Sequence, residues 1–310
     1  MKTTTATAGL LIAASVFSSL ARASVTMDWV TVGNAGNAAN PLTGYGSVAH
    51  EYKIGKYEVT NEQYGAFLNA AAKTDSYGLY NSNMSTYGIT RSGSNGNYTY
   101  SVTGALANRP VVYVSWLDAA RFANWLANGQ GSGDTETGSY TLNGATSSVI
   151  HANVGAQVYL PNDQEWYKAA YYNANNQNYS IYPIGQNSIS TSDANYANSI
   201  GYATDVGFYS HASSFYGTYD QGGNVWELSG LFYDIWNKKF IPRLQGGSWG
   251  WGTYGNSMYK DLSSIDSNIL TDNYFTEDSQ RGFRLAAVPE PSAPILTMLA
   301  SCMMLIRRKR

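Results

Sequence analysis

Two short stretches limit what this 310-residue chain can fold into. One is Tyr219-Asp-Gln-Gly-Gly-Asn-Val-Trp-Glu-Leu228. The other pairs Leu244-Gln-Gly-Gly-Ser-Trp249 with Arg281-Gly-Phe-Arg-Leu-Ala286. Glycine doublets set beside tryptophan and a carboxylate allow positive φ and close backbone approach next to a large buried ring. From about residue 175 to 280, Gly, Asn, Tyr and Ser dominate and helical periodicity is scarce. That composition predicts long loops joined by short strands. An absence is equally restrictive: the one cysteine, Cys302, lies in a hydrophobic tail, so the body of the protein holds neither a thiol nor a disulfide.

The helices are signalled by their caps. Thr60-Asn-Glu-Gln63 is a capping box ahead of an apolar stripe at Tyr64, Phe67, Leu68 and Ala71. Ser115-Trp-Leu-Asp118 is a second, ahead of Ala119, Phe122, Trp125 and Leu126, with Gly129 as the stop. At Pro161-Asn-Asp-Gln-Glu-Trp166, Asn162 caps, Glu165 reaches back, and Trp166, Ala169 and Ala170 point inward. Strands are expected at 27–32, 52–59 and 109–114. Two polar insertions, 75–107 and 129–155, read as decorated loops or small hairpins. Trp116, Trp166, Trp226 and Phe283 read as core, and Arg284 as half of a buried ion pair.

The two ends have a different character. Lys2, the apolar run Gly9 to Leu20 and the small-x-small site Ala21-Arg-Ala23 predict a signal peptide over 1–23 and hence export. Val288-Pro-Glu-Pro291 precedes a short apolar run, Ile295 to Ile306, and a basic cluster, Arg307 to Arg310. The run is shorter than the roughly 20 residues of a full span, and its bases belong on the cytoplasmic side. This tail, 288–310, resembles the PEP-CTERM sorting signal of Gram-negative bacteria. That resemblance implies an exosortase-type partner, transient membrane association and a final location in the cell envelope or at the extracellular surface. Setting aside Lys2, Arg22, Glu290 and the four terminal bases takes the 19 Lys+Arg and 21 Asp+Glu to 13 and 20, a net charge near −7. An acidic body without a basic run argues against nucleic acid as a partner.

Six segments in order, Glu58 to Tyr64, Pro110 to Ala119, Tyr159 to Trp166, Gly222 to Glu227, Gly246 to Trp249 and Gly282 to Arg284, make the span 24–287 resemble the formylglycine-generating enzyme, or sulfatase-modifying factor, family. The resemblance implies an α+β, C-type-lectin-like fold with few helices, small antiparallel sheets and long loops. It further implies a structural calcium ion held by Asp220 and Glu227 through side chains and by Gly223 and Val225 through carbonyls. These are hard oxygens of the kind that ion takes. A second family position falls on Asn195, with Gly207 where a carboxylate ligand would sit. The family's copper-binding cysteines fall at Trp251 and Asn256, neither of which supplies the soft thiolate Cu(I) requires, so copper is not expected. His50, His151 and His211 are scattered, without i, i+4 spacing, and read as surface or loop residues. No catalytic residue is therefore nominated. The expectation is a ligand-binding or structural module whose cleft holds Ser248, Trp249, Trp251, Tyr254 and Asn256, with extracellular polysaccharide or protein as ligand. A divergent enzyme that does not use cysteine is the alternative, since fold does not fix function.

Overall fold

The computed structural model describes residues 24–148, 150–234, 238–250, 262–264 and 275–289. The signal-like N-terminus and the tail beyond Pro289 lie outside these, as do Trp251, Tyr254 and Asn256. The core forms where two capped helices cross. In α1 (Asn61–Ala71), the Thr60 side chain accepts from the Gln63 N–H while the Gln63 side chain accepts from the Thr60 N–H. In α3 (Trp116–Ala127), Ser115 and Asp118 do the same. Between the two lies α2 (Met84–Tyr87), a single turn. Each box satisfies donors that a helix start otherwise leaves open. The apolar stripes then meet: Tyr64, Phe67, Phe122 and Phe283 are fully buried, and Phe122 stands edge-on to both Phe67 and Phe283. A third helix, α4 (Asp163–Tyr171), starts at Asn162, whose side chain accepts from the Gln164 and Glu165 N–H groups. Its Trp166 is buried in a separate aromatic cluster with Tyr167 and Tyr171.

The strands make small sheets. One has the order β1 (Trp29–Val32), β2 (Tyr52–Gly55), β11 (Ala286–Ala287), β5 (Val158–Tyr159). A second has β10 (Arg281–Phe283), β8 (Trp226–Asp234) and β9 (Lys239–Gln245). Two hairpins, β3 (Ile89–Ser92) with β4 (Thr99–Val102) and β6 (Tyr172–Asn173) with β7 (Asn178–Tyr179), complete the ladders. All pairings are antiparallel except β8 with β10, which run parallel and set Gly282 opposite Glu227 and Phe283 opposite Leu228. That one parallel pair lays the third motif directly along the first.

Three expectations need correction. The segment 109–114 is not a strand. Pro110 has no N–H to give, and Tyr113 turns to φ +60°, so the stretch contributes single bonds to different neighbours: Val111 N to Val59 O and Tyr113 N to Asp278 O. The strand expected over 52–59 stops at Gly55, where a Cβ would lie 2.9 Å from the Tyr57 carbonyl oxygen. Beyond residue 175 the strands are not uniformly short, since β8 spans nine residues and β9 seven. The 75–107 insertion holds the β3–β4 hairpin and α2. The 129–155 insertion feeds Tyr140 and Leu142 into the core. No described helix is long and apolar enough to cross a membrane.

Candidate functional site

The loop from Tyr219 to Glu227 is built around a guanidinium. Glu227, at the start of β8, accepts from Arg284 Nε (2.6 Å) and Nη2 (2.6 Å), a two-point fork between side chains that are all but fully buried. Trp166 Nε1 donates to Glu227 Oε2 as well, at 2.6 Å. Arg284 spends its remaining N–H groups on the carbonyls of Gly55 (3.0 Å), Lys56 (3.4 Å) and Tyr219 (2.8 Å). A third acid, Glu58, sits with Oε2 at 4.0 Å from Arg284 Nη2. Burial, and then the charges of Asp220 and Glu227, hold the Glu58 carboxyl well above the ordinary range despite Arg284. Burial likewise pushes Asp220 up to about 6, against the N–H of Gly207 that it accepts.

Asn224, in the same loop, ties the neighbouring loops together. It takes a left-handed backbone, φ +58°. Its N–H donates to Asn195 O (2.8 Å), and its own carbonyl accepts from Trp249 N (2.9 Å). Its side-chain oxygen accepts from Thr204 N (2.9 Å) and Asn195 Nδ2 (3.2 Å), and its Nδ2 donates to Glu58 Oε1 (3.1 Å). Gly223 must be glycine: at φ +83° a Cβ would collide with the Asn195 carbonyl. Gly246, which accepts from Gly223 N, has the same need, with a Cβ falling 2.7 Å from Gln221 O. Three loops remote in sequence, at 195, 223–224 and 246–249, therefore close on one another.

They present a cleft. Trp249 is half-buried and its indole N–H donates to Ser279 O at 3.3 Å. Next to Trp249 lies a cavity of about 230 Å³ with Tyr87, Arg109 and Tyr202 in its wall. Tyr87 pairs with Tyr113, ring centroids 5.3 Å apart. Ser248, expected in the cleft, is instead buried and does not line the cavity beside Trp249; its Oγ donates to the side-chain oxygen of Gln280 at 2.6 Å.

A family model, the sulfatase-modifying factor enzyme 1-like domain, matches residues 23–288. The chain belongs to this family. Among solved structures, CarF is similar at 23% identity, covering 86% of this chain and 99% of its own, with a TM-score of 0.54. Treponema denticola variable protein 1 is similar at 22% identity, covering 86% and 97%, with a TM-score of 0.56. Both likenesses establish the fold: few helices, small sheets and long loops in an α+β, C-type-lectin-like arrangement. No curated protein matches the chain.

Within this sulfatase-modifying-factor-like domain, Asp220 and Glu227, assigned to calcium by resemblance, lie in one loop, and the Glu227 carboxylate is already engaged by other donors. Glu227 Oε2 already accepts two hydrogen bonds and Oε1 accepts one, from donors that leave it beside a buried positive charge. A divalent ion there would stand against Arg284. At the second position Gly207, φ +71°, has Tyr57 Cε1 2.7 Å from where a Cβ would go, so a side-chain ligand there would be strained and would displace the Tyr57 ring. Asn195 gives its Nδ2 to Tyr202 O and Asn224 Oδ1, leaving Oδ1 buried without a partner. Among the described residues no three His, Cys, Asp or Glu side chains converge on a metal-sized space.

The surrounding residues are equally plain chemically. Ser248 faces an amide oxygen, which cannot serve as a general base at neutral pH. Glu165, the capping carboxylate of α4, accepts from Asn162 N and Tyr159 Oη and bonds His50 Nε2 at 2.8 Å. His50 and His211 have exposed side chains, and His151 packs its ring against Phe240. Sequence reasoning passed over Asn224, Gln280, Arg109, Tyr87 and Tyr202. Only Asn224 carried a signal, its place between Gly223 and Val225 in a motif read for its glycines.

Proposed function

We propose that this domain is an exported recognition module without catalysis of its own, and that its aromatic cleft beside Trp249 binds extracellular polysaccharide. The one observation that carries the reading is sulfur: the span matching the family, 23–288, contains no cysteine, so the thiolates that grip Cu(I) cannot be supplied by this chain. The aromatic wall supports the binding half of the reading. Tyr and Trp offer large rigid faces at low entropic cost, and Ser, Gly and Asn around them supply adaptable hydrogen bonds. The leader at 1–23 and the tail at 288–310 support export and handling by an exosortase-type enzyme at a Gram-negative envelope.

The test uses the purified full-length chain. Incubation with Cu(I), oxygen and a Cys-x-Pro-x-Arg peptide is expected to leave the peptide mass unchanged; loss of the thiol with gain of an aldehyde would overturn the non-catalytic reading and favour a divergent oxidase. A glycan array is expected to give binding that Trp249→Ala weakens. Binding to no glycan, or binding indifferent to that change, would remove the cleft from the proposal.

A further inference from the structure

Six arginines fall among the described residues, and five are matched to a carboxylate. Arg91 pairs with Asp75, Arg121 with Glu136, Arg243 with Asp163, Arg281 with Asp278 and Arg284 with Glu227. Arg109 is the exception. Its Nε is buried and has no hydrogen-bond partner, and among the described residues no acid pairs with its guanidinium. The group lies over the Tyr202 ring, 4.4 Å from the centroid. In a body with a net charge near −7, no anion among the described residues answers this cation.

The Arg109 backbone is nevertheless held in place. Arg109 N donates to Leu106 O at 3.2 Å, its carbonyl accepts from Asn61 N at 2.9 Å, and Pro110 follows. Tyr202, the other half of the stack, is fixed through its own carbonyl, which accepts from Asn195 Nδ2 at 2.9 Å. Its ring remains 47% exposed, large for an aromatic in so ordered a loop. Arg109, Tyr202, Tyr87 and Trp249 share the wall of the 230 Å³ cavity. That volume lies below the usual range for drug-sized ligands and suits a single ring-sized group.

A desolvated guanidinium donor without an acceptor is costly, and the planar fork of arginine matches a carboxylate at two points. Aromatic faces alongside it suit the C–H faces of a sugar ring. We infer that the Arg109–Tyr202–Trp249 cavity recognises a carboxylate-bearing sugar, a uronate residue of an acidic polysaccharide. The inference rests on the glycan-binding reading above and narrows it to one class of ligand. The acid occupies the guanidinium, and the ring lies among Tyr87, Tyr202 and Trp249.

The deciding comparison is trigalacturonate against its methyl ester, titrated calorimetrically into the full-length chain. The ester keeps the rings and removes the charge. Trigalacturonate is expected to bind about tenfold or more tightly than the ester, the scale of hydrogen bonds to a charged group. Arg109→Gln is expected to abolish that preference, Arg109→Lys to keep part of it, and Trp249→Ala to weaken both ligands. A thermal melt of each variant separates lost recognition from lost folding. Equal affinity for acid and ester, or a preference that survives Arg109→Gln, overturns the uronate assignment while glycan binding stands. Binding of neutral cellotriose alone does the same. Failure of acid, ester and neutral sugar together overturns the glycan reading along with it.

Discussion

Arg284 and Glu227 meet through two parallel hydrogen bonds of 2.6 Å each, at 0% and 1% side-chain exposure. The pair links the ends of two strands that run side by side, β8 and β10, and so joins the two motifs. Removing one partner leaves the other charge buried and unanswered, which typically costs about 3–5 kcal/mol. Glu227→Gln is therefore expected to destabilise the domain by about that amount in urea titration. Glu58 does not rescue it, because its oxygen lies 4.0 Å from Arg284 and its carboxyl is held toward the neutral form. A loss below about 1 kcal/mol would mean the fork contributes little net stability, as exposed ion pairs do.

The same fork sets an expectation for metal. A ligand bound only by the native state raises its melting temperature by mass action. With Arg284 already in contact with Glu227, millimolar Ca²⁺ and excess chelator are expected to give the same midpoint for the full-length chain. A midpoint that rises with Ca²⁺ and falls with chelator would show that Asp220, Glu227 and the carbonyls of Gly223 and Val225 rearrange around an ion.

Helix starts give a more local forecast. Asn162 accepts from two N–H groups at 3.0 Å each, while Glu165 accepts from Asn162 N at 3.0 Å. Asn162→Ala should cost about 1 kcal/mol, the usual value for a lost N-cap. Asn162→Ser, which keeps an acceptor, should restore most of it. Equal losses in the two variants would assign the effect to packing and not to capping.

How far the sequence could be read follows from the range of each interaction. The three caps were legible because a capping box is closed within four residues: Thr60 with Gln63, Ser115 with Asp118, Asn162 with Glu165. The buried roles of Trp116, Trp166, Trp226 and Phe283 were legible because large rings seldom stay in water. The Val-Val-Tyr-Val run after Pro110 misled, since β-branched residues favour strands while the φ of Tyr113 is set by loops elsewhere in the chain. The calcium expectation came from the family resemblance at the Asp220 to Glu227 loop. Nothing in that loop shows that Arg284, 57 residues further on, already holds the acid. The cavity draws on Tyr87, Arg109, Tyr202 and Trp249, from four segments with no local pattern in common. Trp251, Tyr254 and Asn256, the remaining expected cleft residues, lie outside the described residues.

A final expectation concerns pH. Asp118 closes the second capping box, accepting from Ser115 N at 2.8 Å and Ser115 Oγ at 2.7 Å. Burial, and secondarily the charge of Glu277, push its carboxyl from 3.8 up to about 7, against the opposing effects of Ser115 and Arg121. Between those two values the native protein holds a proton that the unfolded chain has released. Stability from this group is therefore fully present below about pH 4 and is lost as pH rises toward 7, by on the order of a few kcal/mol. Glu58 is shifted in the same direction, so the wild-type decline has more than one source. Asp118→Asn keeps an acceptor for the Ser115 N–H and removes one titration. Urea titrations at pH 4.5 and 7.5 should show a smaller drop for the variant than for the wild type. An identical drop in both would mean that Asp118 is ionised across the whole window and that Ser115 and Arg121 outweigh its burial.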